Sequence, residues 1–284
     1  MLVGIILLLP SLTGVTVMYL YPLAKTIFQS FFSSIHNGTF VGFENFADLF
    51  FNNAFILAIK NTFVFYIVAF PLIIILPLVI ALIFPGKRKI DKAVKNSIFF
   101  TLLLPTASLM TVISLMFSTG GLFSEFIAEL LQLDPDKLYD SKFAFILLVT
   151  LFIYKYGGYN FLIYTAALYK IPKEYYEEAM IAGAGRFKCI FYITLPSLRP
   201  IFAAITMLSI LNSYKIYREA YLIGGSYPND SIYLIQHFIS NNFINMNYNR
   251  LCSVTVTIML VAILAIFIAW ACFMYIRRTE NAKK

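Results

Sequence analysis

Lys155, Lys215, Arg218 and Glu219 stand inside long stretches that are otherwise apolar. An ionisable group at membrane depth is costly, and it turns toward a bundle interior or a wet cavity. Lys215 and Glu219 are spaced i, i+4, so on one helix they share a face and pair. That pairing leaves Arg218 without a local partner. Lys155 is followed by Tyr156, Gly157, Gly158, Tyr159 and Asn160, and Asn212 precedes the second cluster. Tyrosine and asparagine offer hydrogen bonds that match hydroxyl groups, and the glycines let helices approach closely. If the two clusters line one cavity, the surplus of Lys155 and Arg218 favours a solute bearing a carboxylate or sulfate. The same residues support a second chemistry, in which Lys155, Arg218 and Glu219 relay ions.

The polar stretch 171–200 separates two apolar blocks. Pro172 suits the first turn of a helix, where a missing N–H is no loss. Glu174, Glu177 and Glu178 follow, near the positive end of the helix dipole. Gly183 and Gly185 stop that helix, because glycine takes the left-handed exit conformation cheaply. A second short helix is expected over about 186–193, ending before Pro196. Tyr176, Ala179, Met180 and Gly183 share one face of the first helix. Their small members suit that face to a close-fitting partner surface.

These residues need a scaffold, and the composition says which kind. The 284 residues are 60% hydrophobic and only 13% charged, with mean hydropathy +0.80. Soluble domains are less apolar and roughly twice as charged, so this is a membrane protein. Six spans of suitable length follow, at about 2–21, 55–84, 96–117, 143–168, 197–223 and 251–276. Pro71 and Pro77 lie in the second and Pro105 in the third, where neighbouring groups re-satisfy freed carbonyls. The first run lacks a basic leader and a small-residue cleavage site, and reads as an uncleaved span. Basic residues cluster after span two (Lys87, Arg88, Lys89, Lys92, Lys95), after span four (Lys170, Lys173, Arg186, Lys188, Arg199) and in the tail (Arg277, Arg278, Lys283, Lys284). That bias puts both termini and the 171–200 loop in the cytoplasm. The opposite loop, 117–142, carries Glu125, Glu129, Asp134, Asp136 and Asp140. The net charge of +8 therefore reflects membrane orientation, not nucleic-acid binding.

Other chemistry is missing from the sequence. Cys189, Cys252 and Cys272 are too far apart for a metal or disulfide framework, and read as apolar fillers. No phosphate-binding G-x-x-x-x-G-K-[ST] loop occurs. His36 and His237 are the only histidines, and no Ser/His/Asp constellation is legible. His237, in an Asn- and aromatic-rich outer loop, reads as a structural or contact residue.

The order Y-E-E-A-M-I-A-G-A, followed by I-T-L-P, resembles the EAA motif of permease subunits in binding-protein-dependent ABC importers. Glu177, Ala179, Gly183, Ile193, Leu195 and Pro196 match that pattern. Glu178 and Ala182 depart from it, standing where the family has Ala and Asp. Y-P-L-A-K-T-I-F-Q-S-F-F, V-G-F-E-N-F at 41–46 and K-N-T-F at 60–63 resemble the carbohydrate branch, which includes the maltose and glycerol-phosphate importers.

The resemblance implies an all-α polytopic membrane protein, one permease domain over 1–284, with a cytoplasmic coupling loop at 171–200 between spans four and five. It implies a prokaryotic inner-membrane location and no enzymatic activity of its own. The implied partners are a second homologous permease, a cytoplasmic ATPase dimer that holds the ATP and Mg, an extracellular sugar-binding protein and membrane lipid. The cargo would be a carbohydrate, moved by alternating access, and no cofactor would sit on this chain. Tyr176, Glu177, Glu178, Ala179, Gly183 and Pro196 would form the ATPase-coupling surface, with Glu177 as its polar contact. An ion-coupled secondary carrier and a membrane scaffold are the alternatives. A carrier of that kind tends to show an inverted repeat, and none is visible here.

Overall fold

The computed structural model describes the chain except residues 1, 35–37, 86–88, 104, 118–120, 122, 133, 135–137, 140–141 and 282–284. His36, Lys87, Arg88, Asp136, Asp140, Lys283 and Lys284 lie outside the described residues. Along the chain the helices are α1 (Leu2–Val15), α2 (Tyr21–Gln29), α3 (Glu44–Phe50), α4 (Asn53–Ile83), α5 (Lys89–Leu103), α6 (Thr106–Phe117), α7 (Ser124–Leu131) and α8 (Phe143–Tyr169). There follow α9 (Lys173–Ile181), α10 (Arg186–Cys189), α11 (Leu195–Ser197), α12 (Arg199–Ser213), α13 (Tyr217–Gly224), α14 (Ile235–Ile244) and α15 (Tyr248–Asn281). Among the described residues there is no strand beyond a single bridge between Phe32 and Phe40.

The second and fourth expected spans are single long helices, and the sixth lies within α15. α4 has 31 residues and α8 has 27, which at the α-helical rise is about 46 and 40 Å. Both exceed the roughly 30 Å of a bilayer core. Among the described residues these are the helices long and apolar enough to cross a membrane, and a bent pair, Arg186–Ser197 with Arg199–Gly224, makes a third.

Elsewhere the elements differ from expectation. The 96–117 stretch is divided between α5 and α6, with Pro105 between them. The expected first span continues through a π turn, Thr16–Leu20, into α2. The acidic loop contains α7, which ends at Gln132 in a left-handed conformation.

The chain forms two compact units, Leu57–His237 and a second made of Met1–Ile56 with Phe238–Lys284. In the first, Phe65, Ala69 and Ile73 of α4 pack with Ala144, Leu148 and Phe152 of α8 and with Ile216 and Ala220 beside and within α13. A further cluster joins Leu78 and Ala81 of α4 to Phe161 and Tyr164 of α8 and Ile205 of α12. In the second unit α15 packs on α2 and α3. Phe31 meets Phe43 and Phe46, each at 5.5 Å between ring centres.

Candidate functional site

The 171–200 loop is built by local rules. Pro172 caps α9 with φ −58° and ψ 137°, one residue earlier than a first-turn position. Glu174 lies in the first turn. At the other end Gly183 has φ +82°, and nothing lies within 4 Å of where its Cβ would sit. The glycine is required by conformation, not by space. Its N–H donates to Met180 O at 3.0 Å, and the Ala184 N–H donates to Ala179 O at 2.8 Å. This pair of bonds closes the helix in a Schellman motif. Gly185 plays a different part from the one expected. With φ −72° it is extended and starts α10, accepting from the Cys189 N–H at 3.1 Å.

The second helix does not end before Pro196. Helical structure continues from α10 through a π turn at Ile190–Thr194 into α11, which contains Pro196. The wider turn makes room where the proline ring would crowd the carbonyl four residues back. The chain then bends by 65° into α12 at buried Leu198.

Of the six coupling candidates, Tyr176 faces inward. Its hydroxyl hydrogen-bonds Thr194 Oγ1 at 2.9 Å and ties α9 to the π turn. Glu177 is exposed. Glu178, Ala179 and Pro196 line a groove of about 510 Å³ together with Tyr175 and Tyr192. Gly183 forms the cap. Exposed apolar side chains on this loop include Tyr175, Met180, Ile181 and Phe187, of which Ile181 is 88% and Phe187 80% exposed. Spacing alone had put Tyr176 among them. The contact with Thr194 takes the Tyr176 hydroxyl inward, while Met180 of the same expected face stays exposed.

The second cluster is built by distant partners. α12 and α13 are separated by a 3-10 turn, Tyr214–Ile216. This turn advances about 120° per residue instead of 100°, so Lys215 and Glu219 leave the common face and do not pair. Glu219, 1% exposed, instead forms an ion pair with Lys155 of α8. The Lys155 ammonium also lies 5.2 Å over the Tyr156 ring and is one-third exposed. The second Glu219 oxygen has no partner among the described residues.

The break itself is held in place from outside the helix. Gln236 Nε2 donates to the Tyr214 carbonyl, and Ser213 Oγ lies 3.3 Å from the Tyr66 hydroxyl. Asn61 donates to the carbonyls of Asp230 and Tyr233, the latter at 3.1 Å. Thr62 Oγ1 accepts from the Ile235 N–H at 3.0 Å. Asn61, Thr62 and Gln236 were missed as site residues. The signal for Asn61 and Thr62 was a polar pair inside a long apolar run, and Gln236 gave none.

Asn160, expected along the pathway, is buried and bonded to its neighbours. It is 1% exposed, and its amide donates to Ile73 O at 3.1 Å and to Ser209 Oγ at 3.2 Å. The Ile73 carbonyl would receive the N–H of residue 77 in an ideal helix. Residue 77 is proline and has none, so Asn160 supplies the missing donor.

The remaining candidates are accessible. Tyr159 is 47% exposed, Tyr156 and Asn212 are half-buried, and Lys215 and Arg218 are exposed without a partner among the described residues. Leu211, Tyr214, Lys215, Arg218, Tyr221 and Leu222 make one exposed stripe along the broken helix.

His237, outside the expected spans, is fully buried between Tyr217 at 4.8 Å and Tyr233 at 5.6 Å. Its Nδ1 accepts the Leu234 N–H at 3.2 Å. Burial pushes its pKa from 6.5 down to about 4. It is a neutral structural residue, not a contact for a partner. Cys189 and Cys252 are buried and free, as fillers should be.

The chain that carries these features has relatives. Residues 73–280 match the family described as the binding-protein-dependent transport system inner membrane component. The chain is 29% identical over 254 residues to the arabinooligosaccharides transport system permease protein AraP of Halalkalibacterium halodurans, covering 84% of this chain and 78% of that one. It is 24% identical to the sulfoquinovosyl glycerol transport system permease protein SmoG of Agrobacterium fabrum, over 94% of this chain and 89% of the relative. It shares its fold with a crystal structure of a bacterial ABC transporter involved in import of the acidic polysaccharide alginate, with TM-score 0.80, 20% identity, and coverage of 95% and 94%. With the matched region running from α4 to the end of α15, the chain belongs to the family of inner membrane components of binding-protein-dependent transport systems.

Proposed function

We propose that this protein is one of two permease subunits in an ATP-driven importer of oligosaccharides, and that its solute carries an acidic group. The observation that carries the reading is the broken helix. Lys215 and Arg218 are exposed beside a 3-10 turn, and the acid nearest them in sequence, Glu219, is held by Lys155. Lipid accepts neither cations nor irregular backbone at this depth. The stripe therefore faces a partner permease or a wet pathway. Two uncompensated cations with Tyr214 and Tyr221 suit a polyhydroxylated solute bearing a carboxylate or sulfonate. The alginate and sulfoquinovosyl glycerol cargoes named for two similar proteins are of that kind, whereas the arabinooligosaccharides named for another are not.

In this reading the chain crosses the membrane six times with both termini in the cytoplasm. The loop carrying α9 docks on an ATPase dimer that holds the ATP and Mg. Glu177 and the exposed apolar residues make the contact, and a receptor delivers solute from outside. Closure of the ATPases moves α9, and the 65° bend passes that movement to α12 and α13, opening the site to alternate sides. Ion coupling fits less well, because Glu219 is already engaged by Lys155.

The test is uptake into proteoliposomes holding both permeases and the ATPase, with receptor supplied. Uptake of an alginate trisaccharide should need ATP, and Gly183→Asp should abolish it while the protein stays in the membrane. A cysteine placed at Glu177 should react only from the cytoplasmic side. Uptake driven by an ion gradient without ATP, or normal transport by Gly183→Asp, would overturn the reading. Arabinotriose taken up in preference to the acidic sugar would overturn its acidic part.

A further inference from the structure

The second compact unit contains a polar concavity that the transport reading leaves without a role. It has a volume of about 350 Å³ and lies between α3 and the start of α15. Its wall includes Asn45, Asp48, Asn247, Tyr248, Asn249 and Arg250. That volume is within the usual range for small-molecule sites, which starts near 300 Å³.

The wall is built rather than loose. Asn45 donates both amide hydrogens, to Ser30 O and Phe32 O, each at 2.9 Å. Asn249 donates to Ser33 O. Each fixed amide keeps its oxygen as an acceptor. Asp48, Asn247 and Arg250 have no side-chain partner among the described residues. Tyr248 stands edge-on to Phe243 and gives the wall an aromatic surface.

The turn that presents Asn247 and Tyr248 is strained. α14 ends as α9 does, with the Asn247 N–H on Asn242 O at 2.9 Å and the Met246 N–H on Phe243 O at 3.1 Å. Here the left-handed position, φ +56°, is held by methionine instead of glycine. An L-residue pays for that conformation, and such strain gathers at ligand clamps.

The chemistry of the wall narrows the ligand. The wall carries one carboxylate and one guanidinium, Asp48 and Arg250, so it has no net charge with which to hold a bare ion. An apolar group would leave the amides unpaired. Fixed acceptors, one carboxylate, one guanidinium and a tyrosine match a ring of hydroxyl groups, each of which both donates and accepts. We propose that this concavity binds one sugar unit of the transported oligosaccharide, at the outer rim, before it enters the membrane pathway. The proposal rests on the transport reading and its orientation, which put 30–50 and 244–250 outside.

The test uses the assembled importer in nanodiscs, without receptor, with arabinotriose and an alginate trisaccharide as probes in saturation-transfer NMR. Three samples are compared: the parent, Glu125→Gln at an exposed position of α7 outside both sites, and Asn247→Ala/Arg250→Ala at the rim. We expect binding to persist in Glu125→Gln and to weaken at least tenfold in the rim variant, with its receptor Kd unchanged. Should the rim pair disturb assembly, Asn247→Ala alone, which removes an exposed side chain, gives the reading. The proposal is overturned if the parent binds neither probe, if the rim variant binds as the parent does, or if its only defect is weaker receptor association. That last result would make the concavity a protein contact. If the parent shows ATP-driven oligosaccharide uptake while any of these occurs, the rim assignment alone falls. If the parent shows no such uptake, the transport reading itself falls.

Discussion

The end of α9 and the break between α12 and α13 are both places where a helix stops, and they stop for opposite reasons. At α9 everything needed lies within six residues: one glycine and two backbone bonds back into the last turn. At Tyr214–Ile216 there is no glycine or proline. The freed carbonyl is met by Gln236, the flanking Ser213 by Tyr66, and the charge at Glu219 by Lys155, 64 residues earlier. The first is closed by bonds within its own last turn. The second exists only while α4, α8 and the 225–237 segment hold it. In the proposed importer the first would serve as a handle that keeps its shape, and the second as a pathway whose shape depends on its neighbours.

The largest effect should come from breaking the distant pairing. Glu219→Ala leaves Lys155 without its counter-charge. Removing one member of a buried pair costs about 3–5 kcal/mol, and Lys155 is one-third exposed, so about 2–3 kcal/mol is expected. Thermal unfolding in detergent and uptake should both fall sharply. The double variant Lys155→Met/Glu219→Met should regain the thermal stability without regaining transport. If it regains both, the pair is only structural.

Next comes Asn160→Leu, which strips the donor from the Ile73 carbonyl and Ser209. An unsatisfied buried group costs about 1–3 kcal/mol. The melting temperature should drop while solute preference stays as in the parent. A change in preference would return Asn160 to the pathway.

Gly183→Ala tests the handle. A left-handed L-residue costs about 1–2 kcal/mol, borne by an exposed helix. The melting temperature should move little, and receptor-stimulated ATP hydrolysis should fall severalfold. Equal losses in both would mean that the handle is not independent of the core.

The smallest effect is invisible at neutral pH. His237 has a folded pKa of about 4 against 6.5 when free. The unfolded chain therefore takes up a proton first as pH falls, and stability is lost between about 6.5 and 4. His237→Asn, which keeps an acceptor for the Leu234 N–H, should flatten that part of the stability curve and match the parent above pH 7.

Much of the handle was legible. Gly183 requires a left-handed turn that few other residues take, and the acidic first turn points to a helix start. Its facing was not legible. Tyr176 looks outward on a helical wheel and inward once Thr194 is in reach. The pairing of Lys215 with Glu219 failed for a related reason, since i, i+4 geometry assumes an unbroken helix. Asn160 shows the limit most clearly. Its role answers a proline on another helix, 83 residues earlier in the chain.

The sequence by itself determined that the chain lives in a membrane, is helical, and carries a glycine-capped helix between two apolar blocks. Those features rest on hydropathy, spacing and φ preferences, which act over one or two helical turns. Only the tertiary structure decided which charge meets which, where the helix bends and which polar groups are free for a solute. Such pairings are set by packing between segments far apart in sequence, and a low-dielectric interior makes each of them too costly to leave unmet.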